Sequence, residues 1–254
     1  MSTLAMLVGN VGCGKGVIAG KLAYDNYVCV NMDRLQAMFA NGVYGRYDNA
    51  KKAVYHRTED AAIESALESG LSVVIDRTNM NRKSRERFMI VGKRYKAECV
   101  AYDFGSGNEE TLSRRLENPR DTPIADWYQV HNFMSKIYEK PSLDEGFDRI
   151  VQVPNKYRFY AFDFDGTIVE NKFPNIGNII PKTVDKMNSI FDDISNILII
   201  WTNRSGDYER QMKQFLIREK IPFDFINENP IWEGGSRKIF AHEYYDDHNV
   251  CLEG

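Results

Sequence analysis

Short apolar runs that end in polar residues alternate with helical patterns along the first part of the chain. Runs at residues 4–8, 27–31, 71–75 and 99–104 predict β-strands. Apolar residues at helical spacing predict a helix over residues 17–23 and another over about 60–69, which Gly70 closes. Continuous apolar strands that alternate with helices are typical of a parallel sheet covered on both faces.

A second pattern of the same kind begins near residue 156. It predicts strands at residues 159–162, 197–201 and 244–245, each followed directly by an aspartate or a threonine. Between the two patterns, residues 153–156 (VPNK) are polar and contain a proline. The sequence therefore predicts an α/β chain of two domains, residues 1–154 and 156–254, each a parallel sheet covered by helices.

Composition and charge narrow the classes of protein that fit. The 254 residues are 43% hydrophobic and 27% charged, which excludes disordered and fibrous chains. A net charge of −3 argues against a protein that coats long stretches of nucleic acid. The four cysteines lack CxxC spacing, which argues against a zinc site and a disulfide framework. Such cysteines suit the reducing cytoplasm. Because no apolar run approaches about 18 residues, we also expect no membrane segment.

The first candidate site is a glycine-rich loop between the first predicted strand and helix. Residues 9–16 (GNVGCGKG) match the GxxxxGK pattern, with glycine at the last position instead of serine or threonine. Backbone N–H groups of such a loop bind phosphates together with the following helix N-terminus, and the lysine adds a positive charge. A plain strand-to-helix turn is the alternative. The residues predicted to bind ATP are Gly9, Gly12, Gly14, Lys15 and Gly16. Gly16 lacks the hydroxyl that usually binds Mg²⁺ directly.

Polar residues also follow the second and third predicted strands. Asp33 can accept a proton from an attacking hydroxyl, or it can cap the helix that the next residues predict. Asp76, Thr78 and Asn79 are predicted to contact substrate or metal-bound water, the alternative being a plain strand-to-loop transition.

Arginines cluster before and within a loop that contains a proline, at residues 112–120. Guanidinium groups bind phosphoryl oxygens through paired hydrogen bonds, and lids often supply them. A solvated helix face is the alternative for any one of these arginines.

Three segments of the first domain resemble the kinase domain of polynucleotide kinase/phosphatase: residues 9–16, residues 76–81 (DRTNMN) and residues 137–148. The resemblance covers most of residues 1–154. It implies a P-loop kinase fold and an enzyme that phosphorylates 5′-hydroxyl ends of DNA or RNA with ATP. The residues it implies are Lys15 for the ATP phosphates, Asp33 for activating the 5′-hydroxyl, Arg115 and Arg120 as lid arginines, and Arg34 beside the substrate.

The second candidate site is the DFDGT motif at residues 163–167, directly after a predicted strand. Asp163 can attack phosphorus to form an aspartyl-phosphate, while Asp165 protonates the leaving oxygen and then activates water. A chance turn is the alternative, but further pieces follow in the required order. These are Thr202 for a phosphate oxygen, Lys238 as a cation, and Asp246 and Asp247, which with Asp163 and Asp165 would hold Mg²⁺.

These four motifs are similar to those of the haloacid dehalogenase (HAD) superfamily of phosphatases. Only 34 residues separate Thr167 from Thr202, too few for an inserted cap domain, so the resemblance implies a small capless Rossmannoid phosphatase with an open site. Arg204 matches the position of an arginine in the phage-type phosphatase and is predicted to touch nucleic acid; a surface arginine is the alternative.

A kinase and a phosphatase in one chain act usefully only on different groups, which favours the healing of nucleic-acid ends. A 5′-hydroxyl would gain phosphate, and a 3′-phosphate or 2′,3′-cyclic phosphate would be lost. The order of the two domains resembles the bacteriophage type, which would work in the host cytoplasm with a nucleic-acid ligase as pathway partner. The alternatives are a small-molecule or nucleoside kinase/phosphatase, and a phosphatase joined to a nucleotide-binding domain with weak kinase activity. The choice between RNA and DNA and the oligomeric state stay open.

Overall fold

Two separate parallel sheets organise the chain in the computed structural model. One lies in a unit formed by residues 1–155 and the other in a unit formed by residues 156–254. The structure describes residues 1–43, 47–117, 119, 124–154, 156–228 and 239–248.

The sheet of the first unit has five strands in the order β2-β3-β1-β4-β5, all parallel. The strands are β1 (Thr3–Val8), β2 (Val28–Asn31), β3 (Val73–Asp76), β4 (Glu98–Asp103) and β5 (Arg149–Gln152). The helices are α1 (Lys15–Tyr24), α2 (Met32–Phe39), α3 (Lys52–Glu68), α4 (Arg82–Arg94), α5 (Glu109–Glu117) and α6 (Ile124–Lys136).

The central strand β1 shows why the strands of the first sheet appear in the sequence as continuous apolar runs. Its residues from Leu4 to Val8 are all fully buried, so both faces of the strand are covered. Met6 lies beside Ile75 of β3 and Ala101 of β4, which brings the carboxyl ends of three neighbouring strands to one edge. Ligands of open parallel sheets bind at that edge.

The sheet of the second unit has four parallel strands in the order β8-β7-β6-β9. They are β6 (Arg158–Phe162), β7 (Asn196–Ile200), β8 (Phe225–Ile226) and β9 (Glu243–Tyr245), with helices α7 (Pro181–Phe191) and α8 (Asp207–Arg218). Its core joins buried residues of the strands to Met187 and Met212 of the two helices. This core is separate from the one below the first sheet.

The structure differs from the sequence predictions mainly at the edges of the sheets. Strands β5 and β8 were not predicted, because both are short and only partly buried. The helix predicted over about 60–69 is the longer α3. Within the described residues, no helix has the length and apolar character needed to cross a bilayer.

Candidate functional site

The glycine-rich loop connects β1 to α1 at the carboxyl edge of the first sheet. Gly12 and Gly14 have φ values of 75° and 90°, which residues other than glycine rarely adopt. A Cβ atom at Gly9 would lie 2.6 Å from the Cβ of Phe104, and one at Gly12 would overlap the carbonyl oxygen of Thr111. These glycines therefore allow both the turn and its close packing.

The N-terminus of α1 presents backbone rather than side chains. Gly14 is the N-cap residue and offers no side chain to the first turn, which carries no acidic residue. The positive end of a helix without these groups favours an anion such as a phosphate.

Lys15 lies across this loop. Its Nζ donates hydrogen bonds to the carbonyl oxygens of Gly9, at 3.0 Å, and Asn10, at 2.6 Å. The same Nζ is 3.6 Å from the Sγ of Cys13, whose pKa is raised by burial although Lys15 opposes the rise. Cys13 is therefore a thiol at neutral pH and fills space beneath the loop.

Gly16 has room for a larger side chain. It is exposed, and no atom lies within 4 Å of the position that a Cβ would occupy. Packing therefore does not explain why the usual hydroxyl is missing.

A buried polar network, not found by sequence reasoning, ties the loop to the helices beside it. The Nδ2 of Asn10 donates to the carbonyl oxygens of Ser106 and His131, at 2.7 and 3.0 Å, and to the Oγ of Ser135, at 2.9 Å. Burial lowers the pKa of His131, which keeps its ring neutral. One buried amide therefore connects the loop to α6 and to the segment before α5.

Asp76 is the last residue of β3 and Thr78 follows the strand, so both lie at the carboxyl edge of the sheet where the loop begins. The N–H of Gly9 donates to the carbonyl oxygen of Thr78 at 2.9 Å. Asp76 accepts a hydrogen bond of 2.6 Å from the Nδ2 of Asn31. Their contact with substrate stays a prediction.

Asn79 does not fit the predicted substrate contact, because its side chain is buried. Its Nδ2 donates to the carbonyl oxygen of Leu7 at 2.9 Å, and its own carbonyl oxygen accepts from Arg85. Arg85 is fully buried and pairs through two hydrogen bonds, of 2.6 and 2.7 Å, with Glu145. Asn79 thus holds the edge of the sheet, and sequence reasoning missed the ion pair that supports it.

Asp33 lies in the first turn of α2. The alternative of a helix cap is wrong, because Asn31 is the N-cap and its Oδ1 accepts from the N–H of Arg34 at 2.9 Å. Asn31 pairs with Asp76 across β2 and β3, which places the start of α2 at the same sheet edge as the loop. Asp33 and Arg34 are both exposed there, and their roles toward the substrate stay predictions.

Arg115 of α5 lies near the loop, because its Cβ is 3.3 Å from the position that a Cβ on Gly12 would take. Its guanidinium carbon stands 4.7 Å from the ring centre of Trp127 in α6. Arg120, the other predicted lid arginine, lies outside the described residues.

In the second unit, three carboxylates meet where β6 and β9 end. Asp163, Asp246 and Asp247 each offer an oxygen, and these oxygens lie within 4.8 Å of one another. Burial raises the pKa of Asp163 to about 6, and the neighbouring aspartates add to the rise. Like charges held this close are stabilised by a divalent cation, and oxygen ligands suit Mg²⁺. The cluster therefore fits the predicted metal.

The DFDGT turn shapes this cluster directly. Gly166 has a φ of 96°, and a Cβ on it would overlap the carboxylate of Asp247. The Oγ1 of Thr167 accepts a hydrogen bond of 3.0 Å from the N–H of Asp247. The glycine is thus needed for the position of the third carboxylate as well as for the turn.

The side chain of Asp165 is not part of the carboxylate cluster, which corrects its predicted role as a metal ligand. Both of its oxygens accept hydrogen bonds of 2.7 Å from Arg204. The pairing leaves lone pairs on the carboxylate for a proton, so the predicted acid–base role is compatible with it.

Arg204 is only 2% exposed, so its reading as a surface arginine is wrong. Beyond Asp165, it donates to the carbonyl oxygens of Pro174, at 3.1 Å, and Asn175, at 2.9 Å. Its donors are thus used inside the protein, which argues against the predicted contact with nucleic acid. The arginine instead orients Asp165 and fixes the segment near Pro174.

Thr202 is clamped by a residue that sequence reasoning did not assign. The side chain of Asn227 accepts from the N–H of Thr202 and donates to its carbonyl oxygen, both at 2.9 Å. Its φ of 51° is a conformation in which asparagine is enriched, and its place just after β8 was the available signal. Lys238 lies outside the described residues.

Residues 4–126 match a family model described as an AAA domain. With the loop geometry, this match identifies a P-loop domain in the first unit and implies nucleotide binding there.

Solved structures resemble parts or most of the chain. A conserved protein from Bacteroides thetaiotaomicron is 32% identical, over 37% of this chain and 79% of that one, with a TM-score of 0.34. By that identity and coverage the chain belongs to the same family as that protein, whose description names no activity. The Pnkp1/Rnl/Hen1 RNA repair complex is 18% identical over 89% of this chain and 78% of that one, with a TM-score of 0.44. A fungal RNA kinase is 12% identical over 85% of this chain and 98% of that one, with a TM-score of 0.42.

Proposed function

We propose that the chain is a bifunctional enzyme that heals nucleic-acid ends, phosphorylating 5′-hydroxyl groups with ATP and removing 3′-phosphate groups. The observation that carries the proposal is the presence of two different phosphate-handling sites in one chain. The glycine-rich loop with Lys15 suits the binding of a nucleoside triphosphate, whereas the cluster of Asp163, Asp246 and Asp247 suits the hydrolysis of a phosphate ester.

In the proposed kinase reaction, the loop N–H groups and the start of α1 hold the ATP phosphates. Lys15 exchanges its bonds to the carbonyl oxygens of Gly9 and Asn10 for phosphate oxygens. Asp33 accepts the proton of the 5′-hydroxyl while the 5′-oxygen of the substrate bonds to the γ-phosphorus. The bond between the γ-phosphorus and the oxygen that bridges it to the β-phosphate then breaks, which releases ADP. Arg115, and Arg120 beyond the described residues, neutralise the charge of the transferred group.

In the proposed phosphatase reaction, an oxygen of Asp163 attacks the phosphorus of the 3′-phosphate. Asp165 gives its proton to the leaving 3′-oxygen, and a covalent aspartyl-phosphate remains on Asp163. Asp165 then takes a proton from water, which attacks this phosphorus and releases inorganic phosphate. Thr202 and Lys238 bind the phosphate oxygens. When bound by the three aspartates, Mg²⁺ supplies positive charge for the same oxygens.

The pairing of the two sites supports an end-healing role over two unrelated reactions. Acting on one shared group, a kinase and a phosphatase would cancel each other. Acting on the two ends of a break, they produce the 5′-phosphate and 3′-hydroxyl that a nucleic-acid ligase requires. We therefore propose DNA or RNA ends as substrates and a ligase as the pathway partner.

The test uses the full chain with two substrates and magnesium. We expect transfer of label from γ-labelled ATP to a 5′-hydroxyl oligonucleotide, and release of phosphate from a 3′-phosphorylated one. Asp33→Asn should remove the transfer and Asp163→Asn the release. Matched controls are Asp207→Asn, an exposed acid in the first turn of α8, and Asp192→Asn, an exposed acid after α7. Label transfer that persists in Asp33→Asn would refute the catalytic role of Asp33. Phosphate release that persists in Asp163→Asn would refute that of Asp163.

Gly16 supports a second candidate for the first unit. Without a hydroxyl to bind Mg²⁺, the P-loop domain would bind nucleotide and transfer phosphate only weakly. Tight ATP binding without label transfer, in magnesium or in manganese, would favour this candidate.

A further inference from the structure

Two aromatic side chains are exposed beside the proposed phosphatase site. Phe173 lies in the segment after the DFDGT turn and is 57% exposed, and Tyr208 in the first turn of α8 is 43% exposed. Their ring centres are 5.3 Å apart with 60° between the planes, an edge-to-face contact. Together they form an apolar surface of two rings, which we call the aromatic pair.

The aromatic pair is held close to the chemistry by Arg204. The guanidinium carbon of Arg204 lies 5.3 Å from the ring centre of Phe173, while its nitrogens are 2.7 Å from both oxygens of Asp165. The same guanidinium binds the carbonyl oxygens of Pro174 and Asn175, directly after Phe173. A single buried cation therefore fixes both the proposed acid–base group and the ring.

We propose that the aromatic pair binds the nucleobase of the nucleotide whose phosphate reacts at Asp163. Every nucleobase has a flat π-face, and aromatic side chains that stack on bases bind single strands with little dependence on sequence. The proposal rests on the proposed phosphatase function and adds to it a binding site for the terminal base of the substrate.

The spacing favours a nucleobase over the ring of a phosphotyrosine. The guanidinium of Arg204 contacts both the ring of Phe173 and the carboxylate of Asp165, so the ring lies one side chain away from the proposed acid–base group. A nucleoside places a sugar between its phosphate and its base, whereas a phosphotyrosine ring is bonded directly to the phosphate oxygen. The ring that reaches Phe173 is therefore the one that a sugar carries away from the phosphate.

The experiment compares two short oligonucleotides with a 3′-phosphate, one with a normal terminal base and one with an abasic terminal sugar. For the wild-type chain we expect a lower KM for the oligonucleotide with the base. Phe173→Ala should raise that KM about tenfold with little change in kcat, in line with the loss of one stacking contact. On the abasic oligonucleotide the variant should behave like the wild type.

Three further variants separate stacking from structural damage. Phe173→Trp and Tyr208→Phe keep an aromatic ring and should keep the low KM, whereas Tyr208→Ala should raise it. Ile217→Ala removes a side chain on the same helix that is 58% exposed and should change nothing.

The outcomes distinguish this inference from the proposed function. If the wild-type chain releases no phosphate from either oligonucleotide, the phosphatase function fails and the inference fails with it. If it hydrolyses both with equal KM, or if Phe173→Ala leaves the KM for the normal oligonucleotide unchanged, only the inference is overturned. A larger effect of Phe173→Ala on phosphotyrosine than on the oligonucleotide would also overturn it.

Discussion

A Cβ atom on residue 166 would occupy the space of the Asp247 carboxylate, so the second unit should tolerate only glycine at this position. We expect Gly166→Ala to reduce phosphate release about 100-fold, because a Cβ would displace Asp247 from the carboxylate cluster. Steady-state hydrolysis of a 3′-phosphorylated oligonucleotide measures the effect.

Gly70→Ala is the matched control for this change. Gly70 also has a positive φ, of 76°, but no atom lies within 4 Å of its Cβ position. The control therefore introduces backbone strain without a collision. Equal activity of Gly166→Ala and the wild type would show that Asp247 does not need its observed position.

Asp163 carries a cost in stability that should depend on pH. Its pKa of about 6 is above the value of an exposed aspartate, so the folded chain holds the charged form unfavourably at neutral pH. With metal chelated, we expect Asp163→Asn to stabilise the protein at pH 8 by about 1 kcal/mol, after allowance for solvent screening.

The gain from Asp163→Asn should disappear on acidification. As pH falls through about 6 toward 4, wild-type Asp163 gains its proton in the folded state and the disadvantage is lost. Thermal unfolding of both proteins between pH 4 and 8 tests this, with Asp192→Asn as control. A stability difference that is constant with pH would contradict the prediction.

Among the structural elements, the segment around Pro174 depends on the buried cation of Arg204. Arg204→Met should destabilise the second unit by about 3 kcal/mol, because it leaves the carboxylate of Asp165 without its partner. Urea unfolding measures this, and Asp165→Asn in the same chain should restore part of the loss.

Arg210→Met is the control for Arg204→Met, since Arg210 forms an exposed ion pair with Asp207. Exposed pairs contribute little, so a change below about 0.5 kcal/mol is expected. If the two arginine variants lose the same stability, the buried pair does not hold the segment.

The loop and helix α1 offer a direct test of the missing hydroxyl. Gly16→Ser adds a possible Mg²⁺ ligand where no atom obstructs it, and we expect about tenfold less Mg²⁺ to be needed for half-maximal label transfer. Gly20→Ser makes the same change in the same helix, also without obstruction, and should leave the requirement as in the wild type. An identical Mg²⁺ requirement in both variants would show that the missing hydroxyl at Gly16 does not set the requirement for Mg²⁺.

The sequence predicted the strands that are buried on both faces of the sheet, because such strands consist of a continuous run of apolar residues. Strand β1 is the clearest case, whereas β5 begins with the exposed Arg149 and carries no such signal. The sequence also located the residues just after β1, β3 and β6, where sheet geometry restricts the position of a ligand.

The partners of polar side chains could not be predicted in the same way. Asn31 rather than Asp33 caps α2, and Arg204 is buried against Asp165 rather than exposed. The cap depends on the residue at which α2 begins, since Asn31 accepts from Arg34 only three positions along the chain. The pairing of Arg204 with Asp165 joins residues 39 positions apart, a separation that no periodicity of the sequence indicates.

At the scale of the whole molecule, each proposed site is built from one unit. The described residues of the kinase site follow β1, β2 and β3 or lie in α5, and those of the phosphatase site follow β6, β7 and β9. Each sheet thus brings its own polar residues to its own carboxyl edge. A net charge of −3 is compatible with this arrangement, because an enzyme that binds a strand end needs only local cations.

Because the two sites share no described residue, their activities should be separable in the intact chain. Lys15→Ala should abolish label transfer and leave phosphate release within about twofold of the wild type, and Asp163→Asn should do the reverse, since substitutions that share no partners act independently. Both reactions are measured on the same preparations, and Lys52→Ala, an exposed lysine at the start of α3, serves as the control for charge removal. If either variant lost both activities while its thermal unfolding matched that of the wild type, the two reactions would depend on a common site, and the proposal of two independent ones would be wrong.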